Sequence, residues 1–151
     1  MRIRPNPAGD YPKIDRGTDI DTTVLIIGNV TICEGTGIGP ETVIRADEPN
    51  SSIIIDTHCL IKGGVVIHAL ADTEVIVKSS VTVGNGCIVH GPCEIAEGSR
   101  IGLGTVIINA VIGKYVKTGN RCVIENCNVS DESTIISGTN LPNMAWQHIK
   151  K

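Results

Sequence analysis

Residues 14–44 read IDRGTDIDTTVLIIGNVTICEGTGIGPETVI, and isoleucine recurs in them at every sixth position. The spacing continues along the chain with two interruptions and two steps of five residues, and 19 of the 20 positions that it marks are Ile or Val. A period of six fits neither an α-helix nor one long strand, whereas a short strand followed by a corner fits it well. The marked positions are Ile14, Ile20, Ile26, Ile32, Ile38, Ile44, Ile55, Ile61, Ile67, Val77, Val83, Val89, Ile95, Ile101, Ile107, Ile112, Thr118, Ile124, Val129 and Ile135.

Three such units close a triangular coil of about 18 residues, and successive coils pair as parallel strands about 4.8 Å apart. The pattern therefore predicts an all-β fold, a left-handed parallel β-helix of hexapeptide repeats. Each marked side chain points into the prism and the next one points out. We expect residues 14–138 to form the β-helix and residues 1–13 to cap one end. Residues 139–151 are expected to form a short helical tail that packs through Met144 and Trp146.

Composition narrows the possible partners and location of the chain. It contains no Phe, one Trp and two Tyr, and a core so poor in aromatic residues needs many small aliphatic side chains in a regular stack. The net charge of −3 and the lack of a long basic run argue against binding to nucleic acid or to an anionic membrane surface. No segment reaches the roughly 18 consecutive apolar residues of a membrane-spanning helix. The N-terminal MRIRPNPAGDYPK has no apolar stretch after its charges, so we expect no secretory signal and a cytoplasmic protein.

Cysteine positions follow the repeat. The fifth residue of each unit also points inward, beside a corner where only a small side chain fits, and four of the six cysteines occupy it: Cys59, Cys87, Cys93 and Cys122. Buried free cysteine behaves as a small apolar side chain, which we favour over a metal-binding or redox role. Cys33 and Cys127 do not follow this rule.

Two histidines are expected to lie side by side. Every third unit lies on the same side of the prism, so Arg45, His68 and His90 should form one outward-facing column. His68 and His90 are 22 residues apart, which is one 18-residue coil plus a four-residue loop. On adjacent rungs both imidazoles could reach one metal ion, although two surface histidines could also stack by chance.

The two interruptions of the repeat are the loops at residues 48–52 and 70–73. Loops that break a regular solenoid tend to gather on one face, and that face often binds a ligand. We therefore expect the two loops to lie on one face, and that face to bind a ligand.

Three segments resemble the γ-class carbonic anhydrase family, and the similarity covers roughly residues 20–138. They are Ile44-Arg45-Ala46-Asp47-Glu48, Val66-Ile67-His68-Ala69-Leu70 and Val89-His90-Gly91-Pro92. The hexapeptide repeat alone is shared with many acyltransferases, whereas this set of motifs is considerably more specific.

The resemblance implies a homotrimer with a divalent metal, zinc before iron or cobalt, between subunits. His68 and His90 would bind it from one subunit, and the position of the family's third histidine, supplied by the neighbouring subunit, is Asn85. Lys62 stands where the family has a glutamine that lines the site. Only Asp72 and Glu74 stand in for the acidic proton-shuttle loop of some members.

The resemblance also implies roles for three charged residues. Arg45 and Asp47 would form an ion pair at the subunit interface and line the site, and Arg45 could stabilise a developing anion. Glu48 would orient water or remove its proton. Alternatively, Arg45 and Asp47 only hold the trimer together, and Glu48 is a solvated loop residue.

The predicted function is metal-dependent, reversible hydration of CO2 to bicarbonate. Neutral imidazole suits zinc, iron or cobalt better than an amide oxygen does, so Asn85 favours an alternative, a non-catalytic trimer that serves as a scaffold or binds a small anion. A hexapeptide acyltransferase is the third hypothesis.

Overall fold

The computed structural model describes residues 1–142, which form a parallel β-solenoid of about seven turns. The prediction of an all-β, left-handed parallel β-helix is confirmed. The described residues contain strands and turns but no helix. The helical tail predicted for residues 139–151 lies largely outside the described residues. Only residues 139–142 of that segment are described, and residues 140–142 form a strand.

Twenty short strands build the coils. In chain order they are β1 (Arg2–Arg4), β2 (Lys13–Ile14), β3 (Asp19–Ile20), β4 (Leu25–Gly28), β5 (Val30–Ile32), β6 (Gly37–Ile38), β7 (Val43–Ala46), β8 (Ser52–Ile55), β9 (Leu60–Ile61), β10 (Val66–His68), β11 (Glu74–Val77), β12 (Thr82–Val83), β13 (Ile88–Ile95), β14 (Arg100–Ile101), β15 (Val106–Ile112), β16 (Lys117–Thr118), β17 (Val123–Glu125), β18 (Asn128–Val129), β19 (Thr134–Ile135) and β20 (Asn140–Pro142).

The strands divide among three faces of a triangular prism. The first face holds β1, β4, β7, β10, β17 and β20 together with the first halves of β13 and β15. The second face holds β2, β5, β8, β11 and β18 together with the second halves of β13 and β15. Because β13 and β15 turn the corner, these two faces form one 13-stranded sheet, and the third face is a separate 7-stranded sheet.

The core is the predicted aliphatic stack. Eighteen of the 20 marked positions are buried, and the remaining two, Ile14 and Ile20 at the N-terminal end, are half-buried and pack against the core. Small side chains fill the corners as predicted, and their hydroxyl groups find partners there. The Thr42 hydroxyl, for example, donates to the Lys62 carbonyl of the next coil at 2.8 Å. Burial of these hydroxyls therefore leaves no unmet hydrogen bond.

All six cysteines are free thiols, and the four at corner positions are buried as expected. Cys127 is buried as well. It lies in a five-residue unit, in which the fourth residue takes the inward corner place, just as Ala110 does in the coil before it. The five-residue step in the sequence was the signal for this. Cys33, the residue after β5, is half-buried.

The two loops that interrupt the repeat stack on each other at the corner between the first and second faces. Asn50 donates to the Asp72 carboxylate at 3.0 Å, and the Asp72 amide donates to the Pro49 carbonyl at 2.9 Å. The Ser52 hydroxyl donates to the Glu74 carboxylate at 3.1 Å. The loops thus form one ordered corner.

The first residues of the chain extend the first face. Strand β1 pairs with β4, with Ile3 beside Ile26, so residues 2–4 close this end of the sheet. Within the described residues, no helix has the length and apolar character needed to cross a membrane.

Candidate metal centre

The predicted outward column exists on the first face. Strand pairing aligns Ile27, Arg45, His68, His90, Ile108 and Glu125 in that order. The rings of His68 and His90 meet edge to face, with centroids 5.3 Å apart and planes at 88°. The register of the β-helix therefore fixes two imidazoles next to each other, because side chains one rung apart on the same face have no other direction to take.

Two carboxylates and a guanidinium group converge on one ring nitrogen of His68. The Nε2 atom lies 2.7 Å from Glu48 Oε2, 3.7 Å from Asp47 Oδ1 and 3.2 Å from Arg45 Nη2. A single ring nitrogen can donate or accept, but not both. The short distance to Glu48 is that of a charge-assisted hydrogen bond, so Nε2 donates to Glu48, and Arg45 is only a close neighbour.

The stacked loops hold Glu48 in place. Its Oε1 accepts a hydrogen bond of 3.1 Å from the backbone amide of Ala71, in the second loop. Its carbonyl accepts a hydrogen bond of 2.6 Å from the Ser51 hydroxyl. With one carboxylate oxygen and the backbone both fixed, the other oxygen is directed at His68. The sequence did not reveal this anchor, because it depends on how the two loops stack.

Arg45 and Asp47 form the predicted ion pair, at 3.4 Å between Nε and Oδ1. The same two atoms are buried and have no hydrogen-bond partner among the described residues. The pair is thus close enough for Coulomb attraction but not aligned for a hydrogen bond. Asp47 Oδ1 keeps an unused acceptor that faces His68.

Gly28 allows the backbone beneath this cluster to pack closely. Its φ of 86° lies in the left-handed region, and a Cβ atom there would be 2.0 Å from the carbonyl oxygen of Ala46. Only glycine fits both constraints. Glycine at this position therefore lets β4 lie close to Ala46, the last residue of the strand that carries Arg45.

Charge and burial act on His90 together. Burial lowers the pKa of its imidazole below the ordinary value, and the nearby His68 and Arg45 lower it further, while Glu48 opposes them. A lowered pKa keeps the ring neutral at pH 7, and a neutral imidazole has the lone pair that a metal ion requires.

Comparison with known proteins gives the relatives of this chain. It is 30% identical to the carnitine operon protein CaiE of Escherichia coli strain K12 over 122 residues, which are 75% of this chain and 61% of CaiE. It is 27% identical to a carbonic anhydrase of Methanosarcina thermophila over 156 aligned residues, 91% of this chain and 60% of the relative. The chain is thus similar in sequence to a carnitine operon protein and to a carbonic anhydrase. It spans about three fifths of the length of these two relatives.

A solved structure agrees on the fold. The hexapeptide transferase family protein of Anaplasma phagocytophilum superimposes with a TM-score of 0.76 over 95% of this chain and 80% of its own, at 23% sequence identity. No family model matches the chain.

Two of the predicted site residues lie on the third face of the protomer, and the resemblance assigns one of them, Asn85, to the metal of a neighbouring subunit. Lys62 and Asn85 line a groove of about 430 Å³ on the third face, together with Arg100 and Lys117. They lie at the start of the turns that lead into the first face, and not beside His68 or His90. Asp72 of the second loop accepts a hydrogen bond from Asn50. Glu74 of the strand after it accepts one from Ser52.

The residues present suit a divalent metal ion. Donor atoms of Asp47, Glu48 and His68 all lie within 4.8 Å of one another, and ligand bonds of about 2.0–2.2 Å around one ion give separations in this range. Asp47 Oδ1 is buried without a hydrogen-bond donor, a need that a cation would meet. Two carboxylates also outweigh the single positive charge of Arg45. Imidazole and carboxylate together suit zinc, iron, cobalt and manganese.

Proposed function

We propose that this chain is a metal-dependent hydratase that converts CO2 to bicarbonate, with the ion held at His68 and His90 where protomers meet. The observation that carries the proposal is the pair of adjacent imidazoles, with the Glu48 carboxylate 2.7 Å from His68 Nε2. The relationship to a carbonic anhydrase at 27% identity supports it.

A bound divalent ion would supply Lewis acidity and lower the pKa of water toward about 7, the value found in a carbonic anhydrase. The protein's own groups would do the rest. Arg45 sets a positive charge 3.2 Å from His68 Nε2, where it favours the anionic product. Asp47 or Glu48 accepts the proton that hydration releases. Both carboxylates also border a groove of about 600 Å³ beside Asn6 and Asp10, which gives that proton a route to solvent.

The proposal is tested by CO2 hydration. Protein reconstituted with Zn²⁺, Fe²⁺ or Co²⁺ and freed of excess metal is expected to accelerate hydration in a stopped-flow indicator assay. Treatment with a chelator should abolish the acceleration, and return of the ion should restore it. Metal-loaded protein that hydrates CO2 no faster than buffer would refute the proposal, and would leave the non-catalytic alternative that Asn85 favours.

Self-association is part of the proposal, because the first face carries an apolar column next to the histidines. Strand register aligns six outward side chains there, Leu25, Val43, Val66, Ile88, Val106 and Val123. Ile88 is 37% exposed. A strip of this kind on a flat sheet is typical of a protein interface, and a second and third copy of the chain would cover it.

We expect Val106→Asp to disrupt this association. A carboxylate buried in an apolar contact is costly, so the dissociation constant should rise at least ~100-fold. Light scattering coupled to size exclusion measures the mass of each variant. Val111→Asp on the second face, where Val111 is 46% exposed, is the matched control and should retain the wild-type mass. A wild-type chain that is monomeric at all concentrations would contradict the interface.

A further inference from the structure

The ligand set of the proposed metal is incomplete with two histidines. A catalytic zinc ion has three protein ligands and one open position. The residue at the place of the third histidine is Asn85, whose neutral amide oxygen is a weak donor for zinc, iron or cobalt. Asn85 also lines two grooves that it shares with Lys62. A neighbouring protomer that supplied Asn85 would therefore bring a positive charge toward the cation as well.

A stronger donor is already in place within the same protomer. Glu48 Oε2 lies 2.7 Å from His68 Nε2, so the two atoms are separated by little more than the proton between them. His68 and Glu48 would hold a divalent ion in place of that proton, because a neutral imidazole nitrogen and a carboxylate oxygen are both metal ligands and metal binding releases protons.

Glu48 is held in the orientation that a ligand needs. The Ala71 amide binds its Oε1 at 3.1 Å, and the stacked loops fix its backbone. The amide leaves Oε2, the oxygen that faces His68, as the one through which Glu48 would bind an ion. Support of this kind orients ligands and raises metal affinity.

We infer that Glu48 is the third protein ligand, beside His68 in the cluster of donor atoms, and that His90 on the adjacent rung completes a two-histidine, one-carboxylate site within a single protomer. This inference rests on the metal of the proposed function. It makes Asn85 dispensable for metal binding. A carboxylate oxygen is a harder ligand than an imidazole nitrogen, so Fe²⁺, Co²⁺ and Mn²⁺ would compete with Zn²⁺ for this site. Asp47, whose Oδ1 has no hydrogen-bond donor, is then the carboxylate left to accept the proton.

The test is metal binding by full-length variants. Co²⁺ is titrated into metal-free wild type, Glu48→Gln, Asn85→Ala and Glu74→Gln, with visible absorption and elemental analysis as readouts. Removal of an outer partner of a metal ligand costs about 10- to 100-fold in affinity, so loss of a ligand should exceed it. We expect Glu48→Gln to weaken binding more than 100-fold and Asn85→Ala to change it less than about 3-fold. Glu74→Gln removes a carboxylate of the same corner and should match wild type.

The outcomes separate the two proposals. If wild type binds no Co²⁺ or Zn²⁺, the metal-dependent function fails, and the inference fails with it. If Asn85→Ala loses the ion while Glu48→Gln keeps it, the metal stands and the inference is wrong. Val106→Asp provides a second measurement that leaves all three ligands untouched. As a monomer it should still bind one Co²⁺ per chain, whereas a site that needs a neighbour would be empty.

Discussion

His68→Ala is expected to lose both its metal and its hydration activity. His68 is the centre of the cluster, since Glu48, Asp47 and Arg45 all lie within 4 Å of its Nε2. Substitution removes a ligand outright, so the hydration rate should fall by more than ~100-fold, beyond what loss of an outer partner causes. Elemental analysis after dialysis and the stopped-flow assay measure the two effects.

The control for this variant is His58→Asn. His58 is exposed, and its φ of 57° is in the left-handed region, which asparagine tolerates better than most residues. It lies at a turn outside the metal centre, so metal content and activity should match wild type. His68→Ala protein that keeps one ion per chain would remove His68 from the ligand set. Thermal unfolding of both variants distinguishes loss of the ligand from loss of the fold.

Ile67→Ala is expected to have the largest effect on stability. Ile67 is fully buried and stacks between Ile44 and Val89 in the aliphatic ladder. Removal of three carbons leaves a cavity that neighbouring coils cannot fill, because hydrogen bonds fix the spacing of rungs on both sides. Such substitutions cost about 2–5 kcal/mol. Urea unfolding followed by circular dichroism measures the change.

Ile136→Ala is the matched control, because Ile136 is 77% exposed at a corner. Its free energy of unfolding should change by less than about 0.5 kcal/mol. Equal changes in the free energy of unfolding for the two substitutions would mean that the buried aliphatic stack does not stabilise the fold. Because Ile67 is the residue before His68 on β10, the destabilised variant should also bind metal more weakly, and excess metal should restore part of its stability.

The fold could be predicted from the sequence almost completely. A six-residue period admits only one arrangement of inward and outward side chains, so the buried ladder and the small corner residues followed from counting. The column of Arg45, His68 and His90 followed in the same way, because a fixed number of residues per coil converts sequence distance into spatial adjacency. The five-residue units are harder to interpret from the sequence, because Cys127 takes the inward corner place as the fourth residue of its unit and not as the fifth.

The composition of the cluster around His68 could not be predicted by counting. Glu48 reaches His68 because the loops at residues 48–52 and 70–73 stack and the Ala71 amide holds its carboxylate. Loop conformations have no period, so nothing in the spacing of residues reports them. The resemblance to γ-carbonic anhydrases pointed to Glu48 as a residue near the ion, but not to its short contact with His68 Nε2.

The sequence by itself determined the prism, its register and the adjacency of two imidazoles, since repeated short strands leave one pairing that keeps the aliphatic residues at the marked positions out of water. Only the tertiary structure decided which groups face those imidazoles. It brought Asp47 and Glu48 to His68, and it set Asn85 and Lys62 on another face. The physical reason is that the buried aliphatic residues recur at regular positions in the sequence, whereas the hydrogen bonds that orient a charged side chain depend on how the loops pack.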